Sequence, residues 1–328
     1  GDGDKDTVEV GVNLDAVALF DGNVTGCCLS MQGEITINGA LINSDVQRAR
    51  MVEVNGHNLT TAVSESDIDG STIVIHGGQN AAYNSTFSGY RVHLEAEHTA
   101  LYGQDSDISI GWSRYGGALT LTGGEYALRD GASVTGQKGD DVATLSGKLH
   151  GSTYDEQVAV DMGAGDDFLR LDYSSADVIG QNVRLSGGDN TALNFGQGKL
   201  GDILSLGHEQ SASAQLGGVS SRVAQGFETL HLDFADNDMD VLNLDDLLAN
   251  ISRAGFTGGS SFKSLVITGD GQSSSLPDML FMDGASLTGS DIALSNKQFE
   301  GQTFDQYTAF NSDNDQIEVF VATGLWVL

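Results

Sequence analysis

Residues 71–78 read Ser71-Thr72-Ile73-Val74-Ile75-His76-Gly77-Gly78. Ile73 and Ile75 fall at i and i+2, the period of a strand with one buried face, and the paired glycines stop it where only a turn can follow. The same unit recurs as Glu34-Ile35-Thr36-Ile37-Asn38-Gly39, Ala118-Leu119-Thr120-Leu121-Thr122-Gly123-Gly124 and Asn182-Val183-Arg184-Leu185-Ser186-Gly187-Gly188. From Thr7 to about Asp233 no amphipathic helical period stands out, so the region is expected to be all-β.

Spacing chooses among all-β folds. Gly-Asp or Gly-Gly corners at Gly139-Asp140-Asp141, Gly165-Asp166-Asp167 and Gly188-Asp189-Asn190 lie 26 and then 23 residues apart. Three short strands and three turns need about two dozen residues, and a fixed period of ~20–50 marks repeat architectures. The expectation is a parallel β-helix (β-solenoid) over 1–234, followed by a small β-rich C-terminal cap over 235–328. Composition agrees. Aromatic residues are 7% of the chain and proline occurs once, as suits stacked coils whose interior takes small and β-branched side chains and whose ladders need every N–H.

The cap region carries two local signals. Leu244, Leu247, Leu248 and Ile251 have helical spacing, with Asn243 as N-cap. Strands resume at Ser264–Thr268, and Tyr307–Phe310 with Gln316–Val321 are expected to form a terminal hairpin. Cys27 and Cys28 are adjacent, too close for a useful disulfide, and read as small apolar residues packed in a strand.

Charge excludes one class of partner. With 15 Lys+Arg against 46 Asp+Glu, net −31, the chain would be repelled by nucleic-acid phosphates. No run of about 18 apolar residues supports a membrane-spanning helix, so membrane insertion is not expected. The chain begins at Gly1 without a signal segment, which is read as a processed product or a piece of something longer.

The strongest single motif is Met162-Gly163-Ala164-Gly165-Asp166-Asp167-Phe168-Leu169-Arg170. It matches the calcium nonapeptide G-G-x-G-x-D-x-U-x at its second, fourth, sixth and eighth positions. Glycines turn carbonyl oxygens inward, an aspartate adds an anionic oxygen, and calcium takes about six to eight such donors. Gly163, Gly165, Asp166, Asp167, Gly139, Asp140, Asp141 and Asp189 are therefore the candidate calcium ligands. The bland reading of each corner stands beside it: Gly tolerates positive φ and Asp caps its own turn. The motifs are isolated, so a continuous calcium roll is not expected. Asp313, Asp315 and the group Asp233, Asp236, Asp238 and Asp240 read as solvated acidic loops.

Enzyme signatures are scarce. There is no G-x-S-x-G, H-E-x-x-H or P-loop, and no Cys/His zinc spacing. The seven histidines, His57, His76, His93, His98, His150, His208 and His231, read as scattered over a polar surface. Vicinal carboxylates such as Asp140/Asp141 and Asp166/Asp167 point to opposite faces of a strand, so they are not catalytic pairs by themselves.

Three segments carry a resemblance: the nonapeptide-like Gly163–Arg170, Asp240-Val241-Leu242-Asn243-Leu244-Asp245-Asp246-Leu247-Leu248, and Phe304-Asp305-Gln306-Tyr307-Thr308-Ala309-Phe310 with its lysine-free end. Together they make the chain resemble acidic, glycine-rich surface proteins of Gram-negative bacteria exported by type I secretion, the repeats-in-toxin (RTX) adhesins and some surface-layer proteins. The resemblance implies an extracellular or cell-surface location, calcium-coupled folding, and self-association into a fibre or lattice or attachment to a surface glycan. The expected function is a non-enzymatic structural or adhesive module. The alternatives are a polysaccharide-active β-helix enzyme (lyase, epimerase or hydrolase) and a trimeric fibre.

Overall fold

The computed structural model describes residues 6–9, 17–30, 32–111, 115–173, 180–188, 201–208, 224–234, 241–243, 264–269, 279–281, 285–293, 301–310 and 316–327. They form a β-solenoid of parallel coils that ends in an antiparallel cap. The chain divides into two compact units, one of residues 1–160 with 180–183, the other of 161–179 with 184–328. The boundary at 234/235 expected from sequence falls inside the second unit.

In the first unit each coil contributes three short strand segments. Coils are in register at Cys28, Asp45, Asp67, Thr86, Asp107 and Ser133, with steps of 17, 22, 19, 21 and 26 residues. The two-dozen-residue period read from the later corners is therefore the long end of a range, because turns can lengthen without disturbing the strands.

Inward positions stack on like positions. Ile35, Val52, Ile73, Val92, Leu119 and Ala143 form one column, and Ile37, Val54, Ile75, Leu94, Leu121 and Leu145 the next, all buried. Leu29, Val46, Ile68, Phe87, Ile108 and Val134 fill a second side. Leu41, Val63, Ala82, Leu101, Leu128 and Leu149 fill the third. Fully burying each large aliphatic side chain is worth about 1.5–3 kcal/mol, so a strict i, i+2 pattern suffices to fix which face turns inward. Gly77 shows why a strand stops at its glycine: a Cβ there would lie 2.2 Å from the Asn80 carbonyl oxygen.

One corner of this unit is built on left-handed backbone. Asn43, Glu65 and Asn84 have φ of 45°, 51° and 41°, and their amides donate to the carbonyls of Ser64, Tyr83 and Tyr102 one coil on. Asparagine tolerates that region better than most residues. Cys27 is buried and Cys28 half-buried in the strand Cys27–Ser30, and neither forms a disulfide.

In the second unit, Phe168–Tyr173, Ile203–His208, Thr229–Phe234, Ser264–Gly269 and Gln316–Ala322 stack in parallel. Leu169, Leu204, Leu230, Ile267 and Val321 form their inner column. Register steps of 35, 26 and 37 residues separate the first four strands. The expected terminal hairpin is present as Thr303–Phe310 against Gln316–Ala322, and Ser286–Ala293 extends it into an antiparallel meander. Phe304 and Phe320 bury themselves against Ile203 and Val266. Val241–Asn243 is a strand paired with Met279–Phe281; the helix expected over Leu244–Ile251 lies outside the described residues. Among the described residues no helix is long and apolar enough to cross a membrane.

Candidate functional site

The corner preceding the parallel strands of the second unit gathers carboxylates. Asp167, Asp202 and Glu228 each immediately precede the residues Phe168, Ile203 and Thr229, which are in direct register. All three are buried. The Asp167 amide donates to Asp202 Oδ1 at 2.8 Å, and the Asp202 amide donates to Glu228 Oε2 at 2.9 Å. Backbone bonds run alongside, from the Ile203 amide to the Asp167 carbonyl and from Glu228 and Thr229 to the Asp202 carbonyl. The outcome is a ladder in which each coil's N–H is satisfied by the next coil's carboxylate.

Stacked carboxylates in a dry corner repel one another. Burial pushes the Asp202 carboxyl up to about 9, and the neighbouring charges of Glu228, Asp167 and Asp166 push the same way against the amide bond that opposes them. A protonated acid or a cation relieves that repulsion. Chemically the corner is an oxygen-only donor set, the type calcium prefers.

The predicted ligands divide into three groups here. Asp166 and Asp167 stand at this corner, with Asp166 half-buried. Gly163 adopts φ 88° and donates its amide to Asp161 Oδ1, and Gly188 packs so closely on it that a Cβ would sit 1.8 Å from the Gly163 carbonyl oxygen. Gly165 is half-buried in the same turn.

Asp141, in the first unit, makes the same kind of rung, preceding Val142 where the donor Gly117 precedes its partner Ala118. It is fully buried, and its two oxygens accept the amides of Gly117 (2.5 Å) and Gln137 (2.9 Å). Burial raises its pKa against those bonds. Both oxygens brace the turn, which is the bland reading of that corner. Asp140 beside it is exposed and Gly139 buried, so vicinal carboxylates do face opposite ways. Asp189 lies outside the described residues, as do Asp236, Asp238, Asp240, Asp313 and Asp315.

Two features went unread in the sequence. A groove of about 400 Å³ opens in the first unit where Arg48, Arg50, Asp69 and Gly70 line a bend. Arg48 sits at φ 61°, and Arg50 is tied to Glu34 at 2.6 Å. The histidines, read as scattered, are in part gathered: the rings of His57 and His76 stack at 5.1 Å, and His93 packs edge-on to His76 at 6.0 Å. The signal was a spacing of 19 from His76 to Glu95, equal to the coil step there.

No family model, curated protein or solved structure matches this chain.

Proposed function

We propose that the chain is a non-enzymatic, calcium-stabilised structural or adhesive module of a bacterial surface layer, fibre or biofilm matrix, working outside the cell after type I secretion. The observation that carries the reading is the buried ladder Asp167–Asp202–Glu228. A chain of net −31 that stacks carboxylates inside a corner folds poorly where divalent cations are scarce and well where they abound, so ion binding and folding become one equilibrium. Asp166, Asp167, Asp202 and Glu228 would hold the ion.

Assembly has its own support. The strand Val17–Asp21 pairs with Glu34–Asn38 on one side, and among the described residues nothing pairs with its other edge. Val17 and Leu19 on that strand are 66% and 61% exposed. An open parallel edge with apolar side chains is a template for another coil or another chain.

The test is thermal melting of the whole protein with calcium and with chelator. Calcium at about a hundred times its dissociation constant should add about 2.7 kcal/mol, and Asp202→Asn should remove most of that gain. An unchanged midpoint in the wild type sinks the calcium reading. The alternative, a polysaccharide-active enzyme, has the groove at Arg48, Arg50 and Asp69 in its favour, since two guanidinium groups in so acidic a protein suit an anionic sugar. New reducing ends or unsaturated products after incubation with acidic polysaccharides would establish it.

A further inference from the structure

We infer that His76, His93 and Glu95 form a binding site for one divalent transition ion of the zinc class on the outer face of the first unit. The register builds it. His76 is the direct partner of Glu95 across the parallel strands Asp67–Gly77 and Thr86–Ala96, while His93 lies two residues before Glu95 and so on the same face. Ile75, just before His76, and Leu94, between His93 and Glu95, point the other way and are fully buried, so the backbone beneath the three side chains is fixed by core packing.

The ligand atoms converge. His76 Nδ1 lies 3.4 Å from Glu95 Oε2, His93 Nε2 lies 3.6 Å from the same oxygen, and all three atoms fall within 4.8 Å of one another. Zinc–ligand bonds of about 2.0–2.1 Å in a tetrahedron separate neighbouring ligands by about 3.3–3.4 Å, which two of the three edges approach. These separations are long for direct hydrogen bonds between ring nitrogen and carboxylate. His76 Nδ1 is moreover sealed from solvent and makes no hydrogen bond, a state that is costly for a polar atom and that an ion bound between the three groups would end. His57, stacked on His76 with 25° between the ring planes, holds that imidazole in orientation.

The donors select the ion. Two imidazole nitrogens and one carboxylate suit zinc, cobalt, nickel or copper, whereas calcium and magnesium take oxygen shells. Three protein ligands leave at least one coordination position open, and Glu95 is 54% exposed, so water or a donor from another molecule can complete the shell.

The experiment uses the full chain, stripped with chelator and titrated calorimetrically with Zn²⁺ and separately with Ca²⁺, with Co²⁺ absorption reporting tetrahedral nitrogen–oxygen coordination. One Zn²⁺ per chain should bind at this site more tightly than Ca²⁺. His93→Ala and Glu95→Gln should each weaken it by more than about tenfold, the lower end of what even an outer partner of a ligand costs. Both residues are partly exposed, and circular dichroism verifies that the variants remain folded. His98→Ala, a histidine outside the trio, should leave the affinity unchanged. Absence of Zn²⁺ binding in the wild type, equal affinity in the His93 and Glu95 variants, or an equal loss in His98→Ala would each overturn the proposal.

Discussion

Two corners of this protein meet the same demand with different acceptors. In the first unit the buried amides of Cys27, Ser44, Ser66 and Ser85 donate to the hydroxyl oxygens of Ser44, Ser66, Ser85 and Ser106 one coil on, at 3.1–3.4 Å. In the second, the amides of Asp167 and Asp202 donate to carboxylates of Asp202 and Glu228. A serine hydroxyl accepts and donates at once, and Ser44, Ser66 and Ser85 pass their protons to the carbonyls of Ile42, Ser64 and Tyr83. An ionised carboxylate only accepts. Each serine rung therefore carries its own donor and acceptor, while an ionised carboxylate rung supplies acceptors and negative charge. The lesson is that one solenoid geometry accommodates a hydroxyl ladder at one corner and a carboxylate ladder at another, and that only the carboxylates change charge with pH.

The severest way to break this comparison is to transplant the charge. Ser66→Asp keeps an acceptor for the Ser44 amide but sets a carboxylate against the Ser64 carbonyl, with neither proton donor nor cation supplied. The expected cost at neutral pH is about 3 kcal/mol or more, typical of an uncompensated buried charge, read from urea denaturation. A loss below about 1 kcal/mol would mean that the two corners are interchangeable and that their chemistry does not differ in consequence.

A graded effect follows from pH. Asp202 has a folded-state pKa raised from 3.8 to about 9. The native state thus keeps a proton that the unfolded chain releases above about pH 4. Its stabilising contribution is full below that point and is lost as pH rises toward 9, by at most about 1.4 kcal/mol per pH unit. In chelator, amides of Ile203–His208 and Thr229–Phe234 should lose hydrogen-exchange protection over this window, and Asp202→Asn should flatten the loss. Asp141 adds a slope of the same sign in the first unit, whereas the amides bonded within the serine ladder should respond less. Protection that is flat with pH at Ile203–His208 would remove the distinction between the corners.

How much of this was legible depended on whether the signal was local. The alternation of Ile73 and Ile75, closed by Gly77, needs only neighbouring residues, and it specified strand, face and stop. The terminal hairpin was legible for the same reason. The ladders were not, because Ser44, Ser66, Ser85 and Ser106 are separated by 22, 19 and 21 residues, and an uneven step hides a column until each register is known. The Gly-Asp corners were legible as turns, but the burial of Asp141 and Asp167 there follows from the stacking of coils and not from neighbouring residues. His76 and Glu95 lie 19 residues apart, which means something only beside Asp67 and Thr86, paired at that same step. The groove at Arg48 was invisible because it rests on an extra residue, an irregularity in register between Val46 and Ala49.

The mildest change sharpens the comparison from the neutral side. Glu65 holds φ 51° between Asn43 and Asn84 in the left-handed column that precedes the serines. Glutamate is poorly suited to that region, where asparagine's short polar side chain is favoured. Glu65→Asn should therefore stabilise the protein by about 0.5–1 kcal/mol, within the range of relieving a left-handed residue, as a rise in the urea midpoint at unchanged slope. Because the gain comes from backbone conformation and not from charge, it should persist from pH 5 to pH 9 and in high salt. A gain that vanished with salt would assign it to removal of one negative charge from a crowded surface, and the serine corner would then share some of the electrostatic burden ascribed above to Asp202 and its neighbours.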